Sequence, residues 1–192
     1  MSVLIPIGLA VVVGLFTYLM SASQTKRTLA AQSNPLRNPA LEAHFAKLAH
    51  ALDLKRLHVN VYEIDPINGL AAPDGQIYIT RGFLKKFLSG EVTAAEISSV
   101  IAHELGHVAQ RDPIVQALRA AGTAGLLSLV LGDATGGTVL ALAGETLITA
   151  KNSRAVEARA DDFALAQLAK AGVSPEALAE FFELLLEKMG DP

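Results

Sequence analysis

The chain has 192 residues, a formal net charge of -3, no cysteine and a hydrophobic fraction of 51%, with a mean hydropathy of +0.37. That length holds one domain of ordinary size with residues left over for an anchoring segment. The acidic balance excludes a nucleic-acid-binding class, which needs clustered Lys and Arg against phosphates. The lack of cysteine excludes disulfides, thiol catalysis and thiolate ligands, so any metal must rely on His and carboxylate.

Val3 to Met20 is an almost unbroken apolar run, about 27 Å long as a helix and close to the roughly 30 Å of a bilayer core. It reads as a single transmembrane helix within an anchor over 1–23. A cleaved signal peptide ending near Ser21-Ala22-Ser23 is the competing reading, but no basic stretch precedes the run. Lys26, Arg27 and Arg37 follow it, which by the positive-inside rule puts the remainder in the cytoplasm. Residues 24–39, with Ser33-Asn34-Pro35 and Asn38-Pro39, read as a juxtamembrane linker.

A domain over 40–192 follows. Ala40 to Leu52 has helical periodicity, Leu57 to Ile64 alternates as a strand does, and Gln76 to Thr80 forms a second short strand after the turn Pro73-Asp74-Gly75. Thr93-Ala94-Ala95-Glu96 has capping-box spacing, and the apolar stripe Ile97, Val100, Ile101, Leu105, Val108 carries a helix to about Arg111. Asp112-Pro113 opens a helix ending at Gly132, and another is expected over Thr138 to Ala150. That pair packs as core or lies against a bilayer; neither member is long and uncharged enough to span. Ser153 to Ala171 is a further helix. Ser174-Pro175 starts the last one, with Leu178, Phe181, Phe182, Leu185 and Met189 on its buried side. The expected fold class is α+β, predominantly helical, with a small β-sheet.

The chemistry centres on His103-Glu104-Leu105-Gly106-His107. Two histidines four apart project from one helix face about 6 Å apart along the axis, so both reach one ion. Glu104 sits beside the open coordination position, where a carboxylate can take a proton from water. A catalytic zinc takes three protein ligands and keeps one position open. His44, His50 and His58 lack ligand spacing and read as ordinary surface or packing histidines. Glu157 and Asp161, four apart on a later helix, can supply the third ligand and a carboxylate to hold a ligand imidazole from its outer nitrogen. Taken alone, that acidic pair also fits a solvated face.

On these residues the sequence resembles the HtpX-type zinc metallopeptidases, the membrane-linked gluzincins that include the CAAX prenyl proteases. The likeness rests on Glu96 to Arg111, on Ser153-Arg154 with Glu157 and Ala160-Asp161, and on Asn68 to Gly82. It implies one Zn²⁺ per chain on His103, His107 and Glu157, with Glu104 as general base and Asp161 supporting a ligand. It also makes the Gln76-Ile77-Tyr78-Ile79-Thr80 strand part of the block before the active-site helix. If that strand is an edge bordering the cleft, its free backbone groups can pair with an extended peptide. Family members usually continue into a segment bearing a Thr-His-Pro motif, whereas this sequence ends at Asp191-Pro192, so the oxyanion-stabilising group is unassigned.

The expected activity is therefore that of a single-pass, membrane-anchored zinc metalloendopeptidase acting on protein or peptide substrates, in membrane protein quality control, with no nucleic-acid partner. The alternative is a chaperone-like membrane protein that binds clients on the same fold without hydrolysis.

Overall fold

The computed structural model describes residues 4–72, 76–112 and 154–189. The first helix, α1, runs over Leu4–Ala31, past the expected end at Met20 and through the first part of the expected linker. Val12, Phe16, Leu19 and Met20 on it are exposed. Among the described residues no helix is long and apolar enough to cross a membrane, so the transmembrane helix expected over 1–23 is not found there.

Contact density divides the chain into two units, Met1–Arg27 with Arg111–Glu157, and Thr28–Gln110 with Ala158–Pro192. The second unit holds the sheet and the core. Its first strand, β1 (Ser33–Pro35), occupies sequence read as linker, and pairs antiparallel with β2 (Val59–Tyr62). Helix α2 (Pro39–Ala51) starts on the Asn38 side chain, whose oxygen accepts from the Ala40 and Leu41 amides. Proline at the next position has no amide to satisfy there.

The sheet has four strands in the order β1-β2-β4-β3, with β3 spanning Gly69–Ala71 and β4 spanning Ile77–Thr80. β2 and β4 are parallel, and β3 and β4 antiparallel. This corrects the expected edge strand: β4 is paired on both sides and all four of its residues are buried, as suits an uninterrupted Ile-Tyr-Ile run with no polar face to offer solvent. The free edge next to it belongs to β3. Asn68 O accepts from Thr80 N, and Ala72 N donates to Gln76 O. By the two-residue alternation of an antiparallel ladder, the backbone groups of Gly69 and Ala71 therefore face away from β4.

Thr80 ends β4 and caps α3 (Arg81–Leu88), its hydroxyl oxygen accepting from the Phe83 and Asn68 amides. Arg81 grips Glu63 through two hydrogen bonds, and that contact holds the Glu63 carboxyl below the usual carboxylate range. Helix α4 (Ala94–Ala109) begins with the expected capping box: Thr93 Oγ1 accepts from Glu96 N at 3.2 Å, and Glu96 Oε2 accepts from Thr93 N at 2.6 Å. Ile97, Ile101 and Ala102 are fully buried and join Phe45, Leu48, Ile77, Ile79 and Phe83 in one core. Gly69 lets β3 lie close over α4, since a Cβ there would stand 3.0 Å from Val100 Cγ1.

Helices α5 (Arg154–Ala171) and α6 (Ala177–Met189) close the described chain. Phe181 of α6 is buried against Phe83, ring centroids 4.9 Å apart. Phe182, expected on the buried side, is 45% exposed. The expected turn at 73–75 and the helices expected over 113–132 and 138–150 lie outside the described residues.

The capping box sets where the α4 register starts, so Thr93→Ala should lower unfolding stability by about 1 kcal/mol while Thr93→Ser changes it little. Urea unfolding of the two variants measures this.

Candidate metal centre

Helix α4 buries the face that carries His103, which is 7% exposed, and the chain has to satisfy that imidazole. It does so at one nitrogen from a second helix. Nδ1 lies 2.8 Å from Asp161 Oδ1 on α5. An acceptor-only carboxylate there fixes the proton on Nδ1 and leaves Nε2 with its lone pair exposed. That Nε2 stands 3.2 Å from Nε2 of His107, one turn along α4, with the two rings edge to face.

Glu157 lies on the same helix as Asp161 and one turn before it, so it shares the face that meets His103. One ligand atom each from His103, His107 and Glu157 fall within 4.8 Å of one another. Two imidazole nitrogens on one tetrahedral zinc, each at about 2.0–2.1 Å, stand roughly 3.3–3.4 Å apart. The observed 3.2 Å fits that geometry, and the nitrogen, nitrogen, carboxylate donor set fits zinc better than a hard cation that prefers all-oxygen sites. Glu104, half-buried, is the next residue after His103 on α4.

Two further features hold α4 and α5 together, and the sequence motifs announced neither. Gly106, between the two histidines, faces Ala160: a Cβ added to it would lie 3.0 Å from both Cα and O of Ala160. Only a glycine lets the helices approach this closely. Beyond the motif, Gln110 Nε2 donates to the Arg159 carbonyl at 2.8 Å, and Arg159 Nε donates back to Gln110 Oε1 at 2.5 Å. The third addition is Phe182, whose ring meets His103 edge on at a centroid distance of 6.4 Å. The double phenylalanine in α6 was visible in the sequence, but nothing there distinguished the ring that enters the core from the one that covers a histidine.

The remaining histidines stay outside the cluster. His50 and His58 are exposed. His44 is partly buried with Nδ1 unpartnered among the described residues, and burial, helped by Lys47, lowers its pKa, so it favours the neutral form. The Gln76 to Thr80 segment is likewise not brought to the centre as an edge; the strand packed on α4 is β3.

The profile of peptidase family M48 matches residues 35–189. The chain belongs to that family. It is 31% identical over 145 residues to metalloprotease LoiP and 32% identical over 151 residues to metalloprotease YcaL, both of Escherichia coli strain K12. The alignments cover 72% and 73% of this chain but 55% and 57% of those proteins, so the chain spans little more than half the length of these relatives. Membership in M48 supports a protease, and among the described residues His103, His107 and Glu157 form a cluster that could hold a metal.

Because the Gly106 contact is with backbone that cannot swing aside, Gly106→Ala should cost about 1–3 kcal/mol of stability. It should also weaken zinc retention by roughly 10–100-fold by parting His103 from Asp161. Urea unfolding and competition with a chromophoric chelator read the two effects separately. Glu157→Ala should lose zinc on dialysis under conditions where the wild type keeps one equivalent, as measured by elemental analysis.

Proposed function

We propose that this M48 chain is a zinc metalloendopeptidase of the HtpX-related, membrane-linked type, acting on unfolded or misfolded protein in membrane protein quality control. The observation that carries the reading is the pair of Nε2 atoms 3.2 Å apart, with one of the two imidazoles anchored from behind by Asp161. Such an arrangement orients lone pairs toward a single point and is costly to bury for any other purpose. The names of the two relatives, both metalloproteases, support it.

His103, His107 and Glu157 would hold the zinc, which would supply Lewis acidity toward a peptide carbonyl and toward water. The protein's own groups do the rest. Asp161 keeps the His103 proton on Nδ1, so Nε2 remains a donor of electrons. The Glu104 carboxylate takes the proton from the attacking water and delivers it to the leaving amine nitrogen, acting first as base and then as acid. The outward backbone groups of Gly69 and Ala71 on β3 pair with an extended substrate strand and present its scissile bond to the centre. Three donors from the chain leave one position open, which favours hydrolysis over a structural metal.

Location at a membrane is part of the proposal. Its support is the apolar run Val3 to Met20, the exposure of Val12, Phe16, Leu19 and Met20 on α1, and the basic residues Lys26, Arg27 and Arg37 that follow the run.

Glu104→Gln keeps the size of the side chain and removes its basicity. Cleavage of a casein-type substrate should fall by at least about a hundredfold with one zinc still bound. Unchanged turnover rules out Glu104 as the base. Saturable binding of the unfolded substrate without cleavage by the zinc-loaded wild type would favour the client-binding alternative.

A further inference from the structure

A second site lies on the side of the sheet remote from β3, where α2, β1, β2 and the loop between α2 and β2 enclose a cleft of about 470 Å³. That is within the range of small-molecule sites. Its floor is apolar: Phe45 is 3% and Leu36 9% exposed. Its rim is cationic, formed by the exposed Lys55, Arg56 and His58. The one acidic group on the lining, Glu42, already accepts from the Asn38 amide at 3.2 Å as part of the α2 start. Among the described residues neither Lys55 nor Arg56 has an ion pair or a side-chain hydrogen bond.

The loop is built to stay in this position. Asp53 takes a left-handed conformation, φ 55°, and the Leu54 amide reaches back to Ala49 O at 2.9 Å, closing α2 with the Schellman pattern. At the other end His58 O accepts from Ile77 N at 3.0 Å, tying the loop to the sheet. Between these ties the amides of Lys55, Arg56 and Leu57 enter no hydrogen bond among the described residues. Unpaired cations and uncommitted amides over an apolar floor are complementary to a ligand with an anionic head and an apolar tail.

We propose that this cleft binds a single-chain anionic amphiphile, its acyl tail on Phe45 and Leu36 and its carboxylate or phosphate against Lys55, Arg56 and the loop amides. A free fatty acid and a lipid headgroup present the same anionic chemistry to this cleft. This site is independent of the metal centre and of its reaction.

Isothermal titration of the zinc-loaded full chain with laurate, dodecyl phosphate, octanoate, inorganic phosphate and dodecyltrimethylammonium, all below their micellar concentrations, tests it. Laurate or dodecyl phosphate should bind one to one. Octanoate should bind at least tenfold more weakly, because each buried methylene contributes roughly fourfold in affinity. The double change Lys55→Glu with Arg56→Glu should weaken binding at least tenfold, with zinc content and melting temperature unchanged, and Arg56→Gln should give a smaller loss in the same direction. Tighter binding of dodecyl phosphate than laurate assigns the site to a lipid headgroup, and the reverse order to a free fatty acid. The proposal is overturned if neither anion binds, if dodecyltrimethylammonium binds as well, if inorganic phosphate binds as tightly as dodecyl phosphate, or if the charge reversals leave binding unchanged.

Discussion

The distance between α4 and α5 governs the rest of this structure. His103 can offer its Nε2 outward only while Asp161 holds Nδ1 from behind, at 2.8 Å, and Asp161 reaches that nitrogen only because Gly106 puts no Cβ between the helices at Ala160. The ligand motif and the packing motif are thus the same five residues: two histidines supply nitrogen, and the glycine between them sets the spacing at which the second helix can serve them. The reciprocal pair between Gln110 and Arg159 holds the crossing one turn further on. Phe182 rests its ring against His103 from α6, so the imidazole is constrained by a carboxylate, a second imidazole and an aromatic edge.

This also accounts for the energetics of a polar centre inside an apolar helix face. An imidazole at 7% exposure leaves two ring nitrogens to satisfy, and an unpaired one is costly. One is satisfied by Asp161. The other faces His107 across a gap that suits two ligands of one ion better than it suits the core of a protein. The remainder of α4 is ordinary: the buried apolar stripe against the sheet and α2, started by a capping box, gives the rigidity on which a precise site depends.

Much of this was legible in the sequence because the signals were redundant. Helix α4 carried a capping box, a 3.6-residue apolar stripe and a ligand pair four apart, and all three agree on one register. The α5 carboxylates were visible as a pair whose spacing could serve histidines some fifty residues away in sequence, and the family likeness pointed to the same ligand, Glu157. The parts that were missed are those where the sequence is short or symmetrical. Ser33-Asn34-Pro35 is three residues with turn-like composition, and only pairing with β2 makes it a strand. Arg81–Leu88 is a helix of eight residues carrying two lysines, too brief for periodicity to declare itself. An edge at β4 was expected from its place in the block before the active-site helix, yet its unbroken apolar run fits burial on both faces. Phe181 and Phe182 are adjacent in a run of apolar residues broad enough for more than one face, so the sequence does not say which ring turns outward.

The central claim is that α4 and α5 together present two imidazoles and one carboxylate to one metal. X-ray absorption spectroscopy of the protein reconstituted with one equivalent of zinc tests it most directly, with wild type compared against Glu157→Gln. The account predicts a first shell of two imidazole nitrogens and oxygen donors at about 2.0–2.2 Å, with the imidazole contribution retained and the carboxylate contribution lost in the variant. A shell holding fewer than two imidazoles, or one that is identical in the two proteins, would contradict it.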